Sequence, residues 1–341
     1  MSTKNVVTIG GGTGSFTLLS GLKKYPINIA AIVSMADDGG STGVLRDELG
    51  VLPPGDVRQC LVALSESSET LRKLMTYRFE KGGLKGHNFG NLFLSALEKT
   101  EGGFTQGVEE AAKILNVKGE VIPVTKQDTN LYLLLKNGKL LSGEEQINHN
   151  FEIEKAGIAK NYLQPRAVAN PKAIEKILAA DLIVIGPGNH YCSIMPNFLV
   201  KGIADAICKS KAKVVYNCNL VNKKGHTEKF TLDDYIRSLD KYLPAKRIDF
   251  VTFNATKPNE SLIRKYEGQR ALLIKFRESD EERSYRVVRT DLLSKIKPRY
   301  SAADVTAPHR AFIRHDSEKL AKTLMMIMEL GEYENIIRDI I

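Results

Sequence analysis

Two glycine-rich loops carry the residue types that hold phosphates. Gly10-Gly11-Gly12-Thr13-Gly14-Ser15 follows the apolar run Asn5–Ile9, and Phe16, Leu19 and Leu22 recur after it at helical spacing. Glycines between a strand and a helix let backbone N–H groups approach a ligand without Cβ atoms in the way. Those N–H groups and the helix's positive end favour an anion, typically a phosphate. Gly10-x-Gly12-x-x-Ser15 approximates the dinucleotide fingerprint, with serine in place of the third glycine. A plain tight turn needs fewer glycines than this. The second loop, Gly186-Pro187-Gly188-Asn189-His190, follows the apolar run Leu182–Ile185 and repeats the same grammar. Together the loops suit two phosphates, or a phosphate and a base.

Around them stand polar groups of complementary chemistry. Asp37 and Asp38 follow the second predicted strand, where a dinucleotide site places its ribose-binding acid. Beside a diphosphate they would be repelled, by roughly 4 kcal/mol for like charges about 4 Å apart at an effective dielectric of 20. Near phosphate these acids therefore imply a divalent cation such as Mg²⁺, and away from it hydroxyl hydrogen bonds. Ser41, Thr42 and Arg46 lie close by, and Arg46 and Arg58 are candidate anion contacts. Gly86-His87-Asn88-Phe89-Gly90-Asn91 opens a helix; Asn88 reads either as its cap or as a ligand contact, and His87 and Asn91 share that helix end. Arg314-His315-Asp316 precedes the last helix and offers a second anion contact or a cap. No nucleophile stands out: there is no G-x-S-x-G, no neighbouring Cys–His pair and no Walker A ending.

The elements that must position these groups alternate strand and helix. The first strand, a helix and a second strand over Ile27–Met35 make a βαβ start, which with Leu182–Ile185, Val214–Asn217 and Ile248–Phe253 predicts a doubly wound, mostly parallel, Rossmann-like α/β sheet. Ala36–Arg46, followed by Leu52–Arg58, reads as one long functional loop. Helices near 57–66, 69–80, 88–98 and 105–115 form a helical insert (about 57–115). Val121–Thr125 and Leu131–Leu135 flank a turn and begin a small β region (about 119–153). Further helices are predicted at Pro171–Ala180, Ile194–Lys209 and Glu260–Tyr266, with a capping box at Thr231–Asp234 and an edge strand near Tyr285–Arg289. Residues 1–320 read as one domain and 321–341 as a C-terminal helix, with Leu320, Leu324 and Ile327 on one face.

With 341 residues, 43% apolar and 26% charged, the composition is that of a soluble globular protein. No apolar run has the length of a membrane span, and the chain enters its first strand too early for a signal peptide, so the cytoplasm is the expected compartment. Four cysteines without C-x-x-C spacing fit reduced buried thiols, and six histidines without a ligand pair speak against a structural metal. The net charge of +9 suits RNA, an anionic membrane surface or phosphorylated small molecules; it is dispersed, with a mild concentration from Lys295 to Arg314 and no basic run or RNP motif, which makes nucleic acid a minor partner. Met325, Met326, Met328, Ile336, Ile337, Ile340 and Ile341 exceed what one helix face can bury, so a homodimer is an expectation.

Assembled in order, Gly10–Gly14 with Leu18-Leu19-x-Gly21-Leu22, Asp37-Asp38-Gly39-Gly40-Ser41-Thr42-Gly43-x-Leu45-Arg46, Pro53-Pro54-Gly55-Asp56-x-Arg58, Gly86-His87-Asn88-x-Gly90-Asn91 and Gly186-Pro187-Gly188 resemble the YvcK branch of the CofD-like superfamily, the gluconeogenesis factor family. The resemblance runs from residue 6 to about residue 320. It implies a UDP-sugar-binding protein, with UDP-N-acetylglucosamine as ligand, needed for cell shape and wall synthesis on gluconeogenic carbon sources, acting with cell-wall synthesis proteins and without an assigned reaction or a required cofactor. It also implies nucleotide-sugar contacts from Arg314, in the R-H-D motif, and from Tyr266. Ser317 falls where some members carry a phosphorylatable threonine. Asn189–Ser193 departs from the family's Ser and Thr, leaving the backbone of that loop as the phosphate contact. The enzyme branch, 2-phospho-L-lactate transferase, shares the first glycine loop and an acidic loop but not the full string above. A sensor without turnover leads on that match. A metal-dependent transferase acting through Asp37 or Asp38 is the alternative, and an NAD-dependent oxidoreductase comes third.

Overall fold

The computed structural model describes residues 3–243, 246–268, 272–276, 283–296 and 313–340, without the side chains of 265–268 and 331–340. Its centre is a seven-stranded sheet. Strands β1 (Asn5–Gly10), β2 (Asn28–Val33) and β3 (Glu120–Pro123) run outward in one direction. A three-stranded sheet of β4 (Asn130–Leu135), β5 (Leu140–Ser142) and β6 (Ile158–Gln164) follows. The chain then returns to the other side of β1 with β7 (Leu182–Ile185), β8 (Lys213–Asn217), β9 (Phe250–Asn254) and β10 (Arg286–Thr290). The order is β10-β9-β8-β7-β1-β2-β3, every pair parallel. Parallel strands covered by helices on both faces are apolar throughout, which is why Val6, Val7, Ile9 and all of Leu182–Ile185 are buried. The strand order reverses between β1 and β7, and sheets of this kind bind their ligands outside the carboxyl ends of the strands at such a point.

The doubly wound prediction holds, with three local corrections. The Gly/Asp-rich stretch is not loop throughout: Gly40–Leu49 is a helix that buries Leu45 and stops at Gly50 in the left-handed region (φ 60°). Its glycines hide the pattern, since they lower helix propensity without forbidding a helix that tertiary packing supports. Val121 and its neighbours do not join the small β region; β3 pairs with β2 in parallel, and the small antiparallel sheet extends to residue 164. The single helix expected over Ile194–Lys209 is broken into a π-helical turn His190–Ile194 and helices Met195–Leu199 and Ile203–Lys209, interrupted by Gly202 at φ 103°. The capping box is present, Thr231 and Asp234 exchanging hydrogen bonds at the start of helix Leu232–Asp240. The edge strand is β10.

The last helix, Ser317–Ile340, lies against the first helix, Gly12–Leu22, so closely that a Cβ on Gly21 would stand 2.0 Å from the Ser317 carbonyl oxygen. Asp316 caps it by accepting from the Glu318 and Lys319 N–H groups, and Leu320, Leu324 and Ile327 are buried. Met326 is exposed, whereas the side chains of Ile336, Ile337, Ile340 and Ile341 lie outside the described residues.

Candidate functional site at the sheet's switch point

The two glycine loops meet. Gly10 and Gly186 end β1 and β7 side by side, and a Cβ on Gly14 would fall 1.9 Å from the Pro187 carbonyl oxygen, a distance only glycine allows. Gly12 at φ 63° and Gly186 at φ 68° need glycine for conformation as well. Ser15 is buried, its Oγ 2.9 Å from where a Gly10 Cβ would be, so it packs the loop from beneath. Helix Gly12–Leu22 starts at Gly11 without a side-chain cap. The Thr13 carbonyl accepts from the Thr17 hydroxyl.

An acid already stands at that helix end. Asp56, in the first turn of helix Gly55–Leu64, accepts from the Gly12 N–H, and its Oδ2 lies 2.2 Å from where a Gly11 Cβ would be. Burial, then the charge of Asp37, pushes its carboxyl up to about 8, against the pull of the Gly12 amide and Arg58. Asp37 accepts from the Gly39 N–H at 3.0 Å and from Thr42, and burial raises it too. A third carboxyl, Glu144, is raised well above the carboxylate range by burial and by the charges of Asp37 and Asp56. These three acids share one desolvated neighbourhood, with buried Arg58 beside them. Oxygen donors of this kind suit a hard divalent cation. Among the described residues, however, no group of three or more His, Cys, Asp or Glu side chains is assembled closely enough to hold a metal ion.

Asp37 and Asp38 part company. The Asp38 carboxylate accepts from the backbone N–H groups of Glu145, at 2.9 Å, and Glu144, thereby capping helix Gly143–His149. Gly143 makes room for it, since a Cβ there would overlap Asp38 Oδ2. Arg46 is likewise committed, to Asp128 and to the Thr129 carbonyl at 3.1 Å. Asp38 and Arg46 do share a polar cavity of about 540 Å³ with Asp47, Asn130, Glu145 and His149.

The third predicted cluster comes together around Ser41. Its Oγ meets His87 Nδ1 at 3.3 Å, the Asn88 N–H at 3.2 Å and Asn91 Nδ2 at 3.4 Å. Asn88 caps helix Phe89–Thr100, and Asn91 Oδ1 accepts from Arg58 Nε at 2.8 Å. Asn91 thus holds the arginine that faces Asp37 and Asp56.

The second loop is held by amides. Asn219 accepts from the Gly188 N–H at 3.2 Å and donates to the Gly188 carbonyl at 2.9 Å, while Asn217 donates to the Gly186 carbonyl at 3.0 Å. Asn189 donates to Asn148 Oδ1 at 2.6 Å, and so does Lys223. Beyond the loop, buried His190 joins an aromatic cluster with Tyr191, Phe230 and Tyr235, and burial lowers its imidazole to about 3.

Arg314 lies past the end of the sheet; its carbonyl accepts from the Ser294 N–H, and the next residue, buried His315, bonds the Cys218 backbone just after β8. Tyr266 belongs to helix Glu260–Gly268, and its side chain lies outside the described residues. The sequence reading missed Asp56, Glu144, Asn148, Asn219 and Lys223 as site residues. Asp56 was visible in Pro53-Pro54-Gly55-Asp56 as an acid in a helix's first turn. Glu144 and Asn148 had no signal beyond i, i+4 spacing.

The chain matches the family model described as 2-phospho-L-lactate transferase CofD over residues 6–293. It is 36% identical over 327 residues to the gluconeogenesis factor of Bacillus subtilis, covering 95% of this chain and 98% of that one. It is 41% identical over 275 residues to the gluconeogenesis factor of Halalkalibacterium halodurans, covering 80% and 84%. A crystal structure from Bacillus halodurans, described as a member of the UPF0052 family, superposes with a TM-score of 0.84 at 35% identity, covering 95% of this chain and 99% of that chain. With these matches over nearly its whole length, the chain belongs to the gluconeogenesis factor family of CofD-like proteins.

Proposed function

We propose that the protein binds a UDP-sugar, UDP-N-acetylglucosamine in the first instance, in the crevice between the two glycine loops, and that it acts as a gluconeogenesis factor supporting cell shape and wall synthesis. The observation that carries this reading is the direct apposition of two strand–glycine loops at the sheet's switch point. Loops this close bring two strand-end anion sites within reach of one ligand, which suits a diphosphate better than a single phosphate. Arg314 and Tyr266 supply the further contacts that the family resemblance implies. No described helix is long and apolar enough to cross a membrane.

Calorimetric titration of UDP-N-acetylglucosamine, with and without Mg²⁺, followed by chromatography of the recovered nucleotide, tests it. Saturable binding, intact ligand and loss of binding in Arg314→Ala are the expected outcome. Absence of binding at millimolar ligand removes the UDP-sugar and favours NAD or another nucleotide.

One observation favours a second reading. Asp37, Asp56 and Glu144 concentrate three desolvated carboxyls beside the first loop. A transferase of the 2-phospho-L-lactate type would hold Mg²⁺ there through one or two of these carboxylates together with the substrate's phosphates, whose charge the cation offsets. Positioning and electrostatics suffice for such chemistry without a protein nucleophile. Metal-dependent release of UMP or UDP in the same chromatogram would move the assignment to that class.

A further inference from the structure

Lys223 follows the loop that leaves β8 and reaches back into the crevice beside the second glycine loop. Burial pushes its ammonium below its ordinary value. A desolvated ammonium is costly unless an anion accompanies it; the charge of Glu144 acts on Lys223 without contact, but among the described residues Lys223 forms no ion pair and its hydrogen bond goes to a neutral amide, Asn148 Oδ1. That oxygen is crowded. It also accepts from Asn189 Nδ2 at 2.6 Å and lies 3.5 Å from the Cys192 thiol. Three donors converge on an atom with two lone pairs. Asn148 cannot turn away, because its own Nδ2 is bound to Glu144 Oε1 at 3.0 Å. Two of the three donors, Asn189 and Cys192, come from the segment directly after Gly188. The side chains here therefore offer a surplus of donors and one shared, neutral acceptor, the composition expected where an anion completes the set.

We infer that Lys223 is an anion-binding lysine of this crevice, and that Asn148 holds its ammonium until phosphate oxygens of a nucleoside-diphosphate-linked ligand take over as its partner. The inference rests on the phosphate reading of the glycine loops given above. Asn189 Nδ2, released by the same exchange, becomes a second donor to the anion. The geometry thereby gives the second loop a side-chain phosphate contact in addition to its backbone.

Inorganic pyrophosphate and UDP-N-acetylglucosamine are titrated separately into the full chain, its Lys223→Met variant and its Lys223→Arg variant. Acetylation of Lys223 in the unmodified chain is followed by peptide mass with and without pyrophosphate. Pyrophosphate affinity should fall at least tenfold in Lys223→Met and stay within about threefold in Lys223→Arg, and pyrophosphate should slow Lys223 acetylation at least threefold. The footprint decides on its own if Lys223→Met fails to fold. Unchanged affinity in a folded Lys223→Met variant together with an unprotected Lys223 overturns the inference, even if UDP-N-acetylglucosamine binds. Protection by pyrophosphate without binding of the sugar nucleotide keeps Lys223 as an anion site and removes the UDP-sugar. Binding of neither probe overturns both.

Discussion

The two glycine loops share a backbone plan and differ in what surrounds them. At the first, the helix end Gly12–Gly14 faces Asp56, with Asp37 and Glu144 behind it. At the second, Gly186–Gly188 is held by Asn217 and Asn219 and followed by Asn189 and His190, with Lys223 joined to Asn189 through Asn148. One loop has an excess of acid and the other an excess of donors. The glycine pattern alone therefore tells where a polyanion can lie but not its orientation; the side chains from other elements supply that. A diphosphate-linked ligand would rest on the second loop's donors, and at the first loop it needs either a cation or a protonated Asp56.

The comparison breaks most severely if the loops are pushed apart. Gly14→Ala places a Cβ against the Pro187 carbonyl, a backbone atom that cannot yield as a side chain would. Overpacking that side chains absorb costs about 1–3 kcal/mol, so this variant should lose more than about 3 kcal/mol in denaturant unfolding. The loops should next separate by pH. His190 and His226, whose rings both pack against Tyr191 just after the second loop, are lowered from 6.5 to about 3, chiefly by burial, and so are neutral in the folded chain and protonate in the unfolded one. Their contribution is complete above pH 6.5 and is lost as pH falls toward 3, at about 1.4 kcal/mol per pH unit for each; His190→Gln should remove its share of that slope. The first loop has the opposite sign. Asp56, raised from 3.8 to about 8, stabilises the fold at low pH and loses that contribution as pH rises toward 8. Asp56→Asn should flatten this limb in thermal unfolding from pH 5 to 9, and any stabilisation by Mg²⁺ above pH 8 should disappear with it. The smallest effect is expected at the amide latch. Asn219→Ala removes two hydrogen bonds from Gly188 and should cost about 2 kcal/mol, with weaker nucleotide binding in the same calorimetric assay.

Most of the sheet was legible because strands buried on both faces announce themselves as apolar runs, as in Val6–Ile9 and Leu182–Ile185. The helix Gly40–Leu49 was not, because its stability comes from the tertiary burial of Leu45 rather than from propensity. Within the site, Ser41, His87, Asn88 and Asn91 were picked out by motif and do come together, but as the network around Arg58. Asp38 and Arg46 were picked out as ligand contacts, and the structure engages both in holding the small β region. Glu144, Asn148 and Lys223 were illegible because each is an ordinary polar residue in sequence. Only the fold desolvates them, through partners that lie far away along the chain.

That distance has a consequence for how the crevice comes into being. Helix Gly143–His149 is pinned by bonds that span 107 residues to Asp38, 41 to Asn189 and 75 to Lys223. Contacts so separated are slow to form, since the chain entropy of each closure must be met before the contact rewards it. During synthesis the acids of the first loop and their helix are complete when β6 has emerged, while Lys223, which bonds that helix through Asn148, is still to be made. The acids are therefore in place first and Lys223 last, so the anion site proposed above would be complete only after the sheet has been built outward past β8.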